Sequence, residues 1–299
     1  MTMAATLPPA PELAAKMPGT DQLALDLSAP PAAIPLVVAY GGGVDSTAML
    51  VAMYRRGIRP DLILFADTGA EKPETYMYLG IMDKWLASVG FPAITTVQYQ
   101  PTRAKYNTLE GKCLQNETLP SLAFGKHSCS IVFKADPQDK HVARWQPAVD
   151  AWASGLRVRK AIGYDNGDQD CRRRAKADKA VAKKEAQGAL SALRHDYWYP
   201  LQEWGIDRVE CLNLIAGAGL PTPMKSACYF CPASKKSEII WLRDTHPVLF
   251  GRALAMERRA RDGKHGLDTV KGLGRNFSWA ELEAVSQEQV VDEPELLRP

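Results

Sequence analysis

Apolar and polar positions follow two periods along this chain. IPLVVAY, ending at Tyr40, is a continuous apolar run of strand length. From Asp45 to Arg56, Thr47, Leu50, Val51 and Tyr54 recur at helical spacing, and Gly57 stops the pattern. DLILFAD (Asp61 to Asp67) reads as a second buried strand, Pro73 to Leu86 as a second helix and AITTVQY (Ala93 to Tyr99) as a third strand. Strand, helix, strand, helix, strand at this rhythm predicts βαβ units, a parallel sheet covered on both faces and a binding crevice at the carboxyl ends of its strands. GGGVDS (Gly41 to Ser46) and Asp67-Thr68-Gly69 both follow such ends.

After Tyr99 the pattern breaks into a loop-rich stretch to about Ser130 that carries Cys113 and Cys129, followed by a helix to about Trp152. Leu156 to Tyr164 and Asp196 to Leu201 read as fourth and fifth strands, with a basic helix between them after Cys171. A helix from Asp207 ends at Gly217/Gly219, a turn-rich PTPMKSACYFCPASKK follows, and two amphipathic helices cover about Ser237 to Asp244 and Pro247 to Arg261. Ser278-Trp-Ala-Glu281 has the form of a capping box opening a late helix. The first 34 residues are rich in Pro and Ala without a sustained apolar period, which predicts a disordered leader. The expected organisation is this leader (1–34), a nucleotide-binding α/β domain (35–220) with a cysteine-bearing insertion (100–130), and a CxxC-bearing helical segment (221–299) packed on the same domain.

The composition, 299 residues with 46% apolar and 24% charged, is that of a globular chain able to bury a sizeable core. No stretch has the apolar length to cross a bilayer, and the N-terminus lacks a basic start and an apolar core, so a cytoplasmic protein without membrane contact is expected. In that compartment six cysteines are metal ligands, catalytic groups or small buried residues rather than disulfides. The net charge of +3 does not announce a nucleic acid. Basic residues nevertheless concentrate at Arg172, Arg173, Arg174, Lys176, Lys179, Lys183 and Lys184, and again at Arg252, Arg258, Arg259, Arg261 and Lys264. Asp178, Glu185, Glu257 and Asp262 are interspersed, so a solvated helix face is the plainer reading and a polyanionic partner stays open.

The glycine loop narrows the chemistry. A Walker loop needs a lysine that is absent here, and a GxGxxG fingerprint lacks its third glycine because Ser46 stands there; Asp67 would serve a ribose in that weaker reading. What remains is a strand, a glycine turn and Asp-Ser-Thr opening a helix, and this resembles the PP-loop of the ATP pyrophosphatases, SGGxDS. LFADTGAEKPET (Leu64 to Thr75), HSCSIVFKADP (His127 to Pro137), IGYD (Ile162 to Asp165), YPLQEWGID (Tyr199 to Asp207) and SACYFCPASKKSE (Ser226 to Glu238) extend the resemblance to the phosphoadenylyl-sulfate (PAPS) reductase-like, iron–sulfur-containing branch of that superfamily.

The resemblance implies a HUP-like (adenine nucleotide alpha hydrolase-like) doubly wound, mostly parallel five-stranded sheet, and cleavage of ATP between the α and β phosphates. By position, Gly42, Gly43, Asp45 and Ser46 would cradle pyrophosphate, with Thr47 supporting the helix start. Tyr40, Gly41, Val44, Ala66, Thr68 and Gly163 are further nucleotide-contact candidates, and Asp45, Ser46 and Asp67 are the catalytic ones. Asp67, with Asp45, is a candidate Mg²⁺ contact; a turn cap at a strand end is its alternative. Two positions depart from the pattern: Gly41 replaces the first serine, and Tyr164 stands after Gly163 where many relatives have an arginine.

Cys228-Tyr-Phe-Cys231 is a CxxC on a turn that can place two thiolates on one metal. Cys129 stands where iron–sulfur relatives place a ligand, and Cys113 lies upstream. The four thiolates suit a [4Fe–4S] cluster or, alternatively, Zn²⁺. Cys211, inside an amphipathic helix, reads as a small buried residue. The function expected is adenylation of an acceptor with release of pyrophosphate for sulfur transfer; a nucleic acid acceptor, a protein sulfur or electron donor and a homodimer are compatible with it. PAPS or adenylyl-sulfate reduction is the alternative, although such reductases carry a late catalytic cysteine and none follows Cys231 here. A metal-stabilised binding module without catalysis is the third reading.

Overall fold

The computed structural model describes residues 34–284. The proposed leader therefore lies, but for its last residue, outside the described residues. β1 (Leu36–Tyr40), β2 (Leu62–Asp67) and β3 (Ile94–Gln98) alternate with α1 (Val44–Arg55) and α2 (Pro73–Ser88). Between β3 and the next strand come α3 (Leu109–Gln115), a 3₁₀ turn (Ser121–Phe124), α4 (Ser128–Ser130), a π turn (Ile131–Ala135), α5 (Asp136–Val142) and α6 (Gln146–Ala153). β4 (Val158–Ile162), α7 (Asp168–Ala186), α8 (Leu190–Arg194) and β5 (His195–Trp198) follow, then α9 (Pro200–Glu203), α10 (Arg208–Gly217), α11 (Lys236–Thr245) and α12 (Pro247–Asp262).

The five strands form one all-parallel sheet in the order β3-β2-β1-β4-β5. The expected α/β doubly wound fold is present. All six residues of β2 are buried, as a central strand covered on both faces requires, whereas the edge strands β3 and β5 are mostly half-exposed. Chain order reverses between β1 and β4, which makes their carboxyl ends the topological switch point. α1 runs from that point and buries nine of its twelve residues, Met49, Leu50 and Met53 completely. Side chains of that size contribute about 1.5–3 kcal/mol each on full burial.

Local chemistry moved several boundaries. β5 stops at Trp198, short of the expected Leu201, because Pro200 lacks an N–H for the ladder and starts α9 instead. β4 stops at Ile162 because Gly163 turns against α1. The single helix expected up to Trp152 is broken at residues 143–145, where Pro147 begins α6. The stretch read as loop-rich contains α3, capped by the Thr108 hydroxyl, which accepts from Gly111 N–H at 3.0 Å.

A second hydrophobic cluster joins the 100–130 stretch to the C-terminal part: Leu109, Cys113, Phe133, Cys228, Phe230, Leu242, Phe250 and Trp279 pack together. Buried Glu257 of α12 fastens the end of this layer, accepting from Leu273 N–H (2.8 Å) and Trp279 N–H (3.0 Å). Ser278 and Glu281 form the expected capping box beside it. Among the described residues no helix is long and apolar enough to cross a membrane.

Candidate functional site

The loop between β1 and α1 is built from its own atoms. Gly42 sits at φ +72, a conformation that glycine adopts at no steric cost, and a Cβ there would lie 3.1 Å from Thr75. Ser46 Oγ accepts from Gly41 N–H (3.2 Å) and donates to Gly43 C=O (3.1 Å), while Thr47 Oγ1 meets the Tyr40 hydroxyl at 3.2 Å. Gly43 is the N-cap of α1 and offers no side-chain acceptor. The first-turn N–H groups of this buried helix thus end at the crevice without a side-chain cap, a suitable arrangement for an anion.

The β4 end closes on the same loop. A Cβ on Gly163 would lie 2.8 Å from Ser46 N and 2.9 Å from its Cα, so only glycine fits. Just beyond, Asp165 and Asp170 join Asp45: one carboxylate oxygen from each lies within 4.8 Å of the others, and this is the group of three or more such ligands found that close among the described residues. Asp45 also accepts from Arg208 Nη1 at 2.5 Å. Burial pushes the Asp45 carboxyl above the usual range; Arg208 opposes this, and Asp165 and Asp170 add to it. Two of the three acids already meet a cation, Asp45 at Arg208 and Asp170 at Arg173 (2.7 Å).

Asp67 stands elsewhere. Its carboxylate accepts from Gly69 N–H, Tyr76 Oη and Gln98 Nε2, each at 2.7 Å, and so closes the turn after β2. Gly69 follows at φ +70, where a Cβ would strike Thr108 at 2.3 Å, which brings the N-terminus of α3 against this turn. Thr68 C=O accepts from Leu109 N–H at 3.0 Å. Val44, Ala66 and Thr68 are all buried in this wall.

The thiols sit next door. Thr68 Oγ1 lies 3.2 Å from Cys228 Sγ, Cys228 bridges to Glu71 across the backbone, and Tyr229 N–H donates to Ala70 C=O at 2.9 Å. Lys134 Nζ reaches Glu71 Oε1 at 2.9 Å, while buried Glu71 Oε2 has no hydrogen-bond partner. Three of the quoted stretches, Leu64 to Thr75, His127 to Pro137 and Ser226 to Glu238, therefore meet in one place. Cys113 and Cys129 line a cavity of about 220 Å³ together with Lys112 and Lys126. Burial pushes the Cys113 thiol up to about 12 and raises Cys228 and Cys231 as well, so metal binding there would release protons.

Spacing tests the metal. Tetrahedral zinc with Zn–S of about 2.3 Å holds its sulfurs about 3.8 Å apart. No three of these sulfurs come within 4.8 Å of one another among the described residues. These thiols are thus not gathered to the spacing of a single tetrahedral ion.

The sequence does not single out Arg208, Asp170, Lys134 or Ser226. The acids carry a readable signal, since YDNGDQD follows a strand end at the switch point; nothing local marks Arg208. Cys171 is exposed and Cys211 is fully buried in the sheet core, as a small apolar residue would be.

Residues 35–209 match the phosphoadenosine phosphosulfate reductase domain family. The chain belongs to this family. No curated protein matches it. Among solved structures it is similar to the U34-tRNA thiolase NcsA from Methanococcus maripaludis with its [4Fe–4S] cluster, at 16% identity and a TM-score of 0.37 over 84% of this chain and 80% of that one. The family match spans the glycine loop, the β2 turn, Cys113 and Cys129, and the acids after β4, and ends at Val209, before the CxxC. In this member of the phosphoadenosine phosphosulfate reductase domain family, Cys228 and Cys231 thus lie beyond the matched region.

Proposed function

We propose that this protein cleaves ATP to AMP and pyrophosphate to activate an acceptor oxygen, and that a sulfur nucleophile then displaces AMP. The observation that carries the reading is adjacency. Ser226, two residues before Cys228, puts its Oγ 3.2 Å from where a Gly43 Cβ would be, so the CxxC loop overlooks the glycine loop. In the first step the acceptor oxygen attacks the α-phosphorus and the bond to the bridging oxygen of the β-phosphate breaks. The departing pyrophosphate meets the N–H groups of Gly42, Gly43 and the first turn of α1, which stabilise charge as it develops. Asp45, Asp165 and Asp170 would hold Mg²⁺, which supplies charge neutralisation at phosphate oxygens. Arg208 keeps Asp45 oriented.

Cys113, Cys129, Cys228 and Cys231 would hold a [4Fe–4S] cluster. Held by all four thiolates, such a cluster would supply electron transfer; an iron open to sulfur would require one of the four thiolates to stay off it. Lys134 and Glu71 brace the shelf between cluster and nucleotide: burial alone would lower the Lys134 ammonium, but Glu71 and Cys228 outweigh it and hold the group above its usual range.

Anaerobically purified protein incubated with α-labelled ATP should give AMP and pyrophosphate. Sulfite from PAPS without ATP cleavage would instead establish the reductase reading, and tight ATP binding without turnover of either compound would establish a binding module.

A further inference from the structure

The helix α7 is an exposed arm. Of its nineteen residues Asp170 alone is buried, and its composition is polar all round, which a helix packed into a core cannot be. Its charges are sorted. Arg172, Lys176, Lys179 and Lys183 follow one another at intervals of four, three and four residues, which on an α-helix puts them on one stripe. Ala175, Ala182 and Ala186 lie along one edge of that stripe. Of the acids, Asp168 opens the helix on the stripe's own face, four residues before Arg172, whereas Asp170, Asp178 and Glu185 fall on the opposite half and are occupied there by Arg173 (2.7 Å), Arg174 (3.4 Å) and Arg157 (2.6 Å). The four stripe residues are exposed and have no ion pair among the described residues.

The second basic segment behaves differently. On α12, Arg252 pairs with Glu110, Arg259 with Glu117 and Arg261 with Glu257. Its charge is largely consumed inside the molecule, whereas that of α7 is presented outward.

We propose that the α7 stripe is the docking surface for a nucleic acid strand, the polyanion whose phosphates its cations would follow. Successive stripe residues rise by about 4.5–6 Å and the set spans about 16 Å, a spacing and length suited to several consecutive phosphates. The stripe lacks the aromatic and aliphatic anchors on which protein partners depend. Its crevice end is fixed to the candidate site: Asp170 belongs to the acid trio, and Arg173 lies over Tyr164 at 4.3 Å. A strand laid along the stripe would reach the end of α7 nearest Asp45, on the helix face opposite Asp170. The proposal deepens the proposed function by naming the surface that would hold its acceptor.

The test measures binding of a labelled RNA hairpin, and of the DNA hairpin of the same sequence, across a salt series. Three proteins are compared: wild type, R172Q/K176Q/K179Q/K183Q, and the charge-keeping R172K/K176R/K179R/K183R. Wild type should bind at least one hairpin with steep salt dependence. The glutamine variant should bind at least tenfold more weakly at low salt, with a log–log salt slope smaller by about three to four. The charge-keeping variant should behave as wild type. Equal affinity and slope for wild type and the glutamine variant would overturn the proposal, as would a charge-keeping variant no better than the glutamine one. Failure of wild type to bind either hairpin overturns it too, including the case in which only anionic vesicles or an acidic protein bind. Release of pyrophosphate from ATP, measured separately, reports on the proposed function alone.

Discussion

The glycine crevice and the thiol layer lie side by side but are made in opposite ways. In the crevice, the backbone of Gly41 to Thr47 is held by hydrogen bonds within eight residues; from afar come the close approach of Gly163 and one side-chain tie, Arg208 to Asp45 across 163 residues. In the thiol layer several long-range ties are made by side chains. Cys228 meets Thr68 across 160 residues of sequence, Lys134 meets Glu71 across 63, and Arg252 and Tyr229 converge on Glu110 from 142 and 119 residues away. A motif can encode the loop of the first region, though not its tie to Arg208. The second exists only when three separate stretches have found one another.

If the two regions are separable in this way, single substitutions should damage one and spare the other. The largest effects are expected at the reacting ends. Asp45→Ala should lower pyrophosphate release by about 10²–10³-fold, the range for loss of one preorganised charge-stabilising group, with iron and acid-labile sulfide unchanged. Cys228→Ala should do the reverse, abolishing cluster iron while ATP binding by equilibrium dialysis persists. An Asp45→Ala protein that keeps wild-type turnover would remove the crevice from the chemistry.

Gly163→Ala comes next. Its Cβ would meet Ser46 N at 2.8 Å, so the start of α1 must shift, at a cost of about 1–3 kcal/mol in chemical denaturation and a clear loss of pyrophosphate release. Undisturbed turnover would show that the close approach is not needed to shape the loop. Glu71→Gln should cost about 1–3 kcal/mol, because it removes the carboxylate accepting from Lys134 and Thr68 in a buried place. That loss should appear in thermal unfolding of the metal-free protein, which separates bracing from cluster binding. The smallest effect is expected for Thr108→Ala, about 1 kcal/mol for a helix N-cap, with both activities retained.

The same contrast explains what could be read in advance. The five strands and the glycine loop follow from apolar runs, glycines and Asp-Ser-Thr, all local signals, and they stand where the pattern puts them. The motif stretches were legible as stretches, but their meeting was not: nothing in His127 to Pro137 says that Lys134 will find Glu71. Asp67 shows the limit from the other side. A carboxylate at a strand end suits a metal contact or a turn cap equally well, and only its three donors reveal how fully the turn occupies it. The interspersed acids of α7 looked like neutralisation in one dimension, and winding the chain at 3.6 residues per turn sorts all but Asp168 from the lysines.

The 160-residue span between Thr68 and Cys228 also has a temporal meaning. Closing a loop of that length costs about 4.5 kcal/mol of chain entropy by its logarithmic dependence on length. The contact therefore forms late, after the sheet it rests on, and during synthesis it cannot form before the CxxC has left the ribosome. The β1 loop is complete more than a hundred residues earlier. A nascent chain thus carries its glycine loop well before its full set of cysteines, so a metal held by the proposed four thiols can be loaded only once Cys231 has been made.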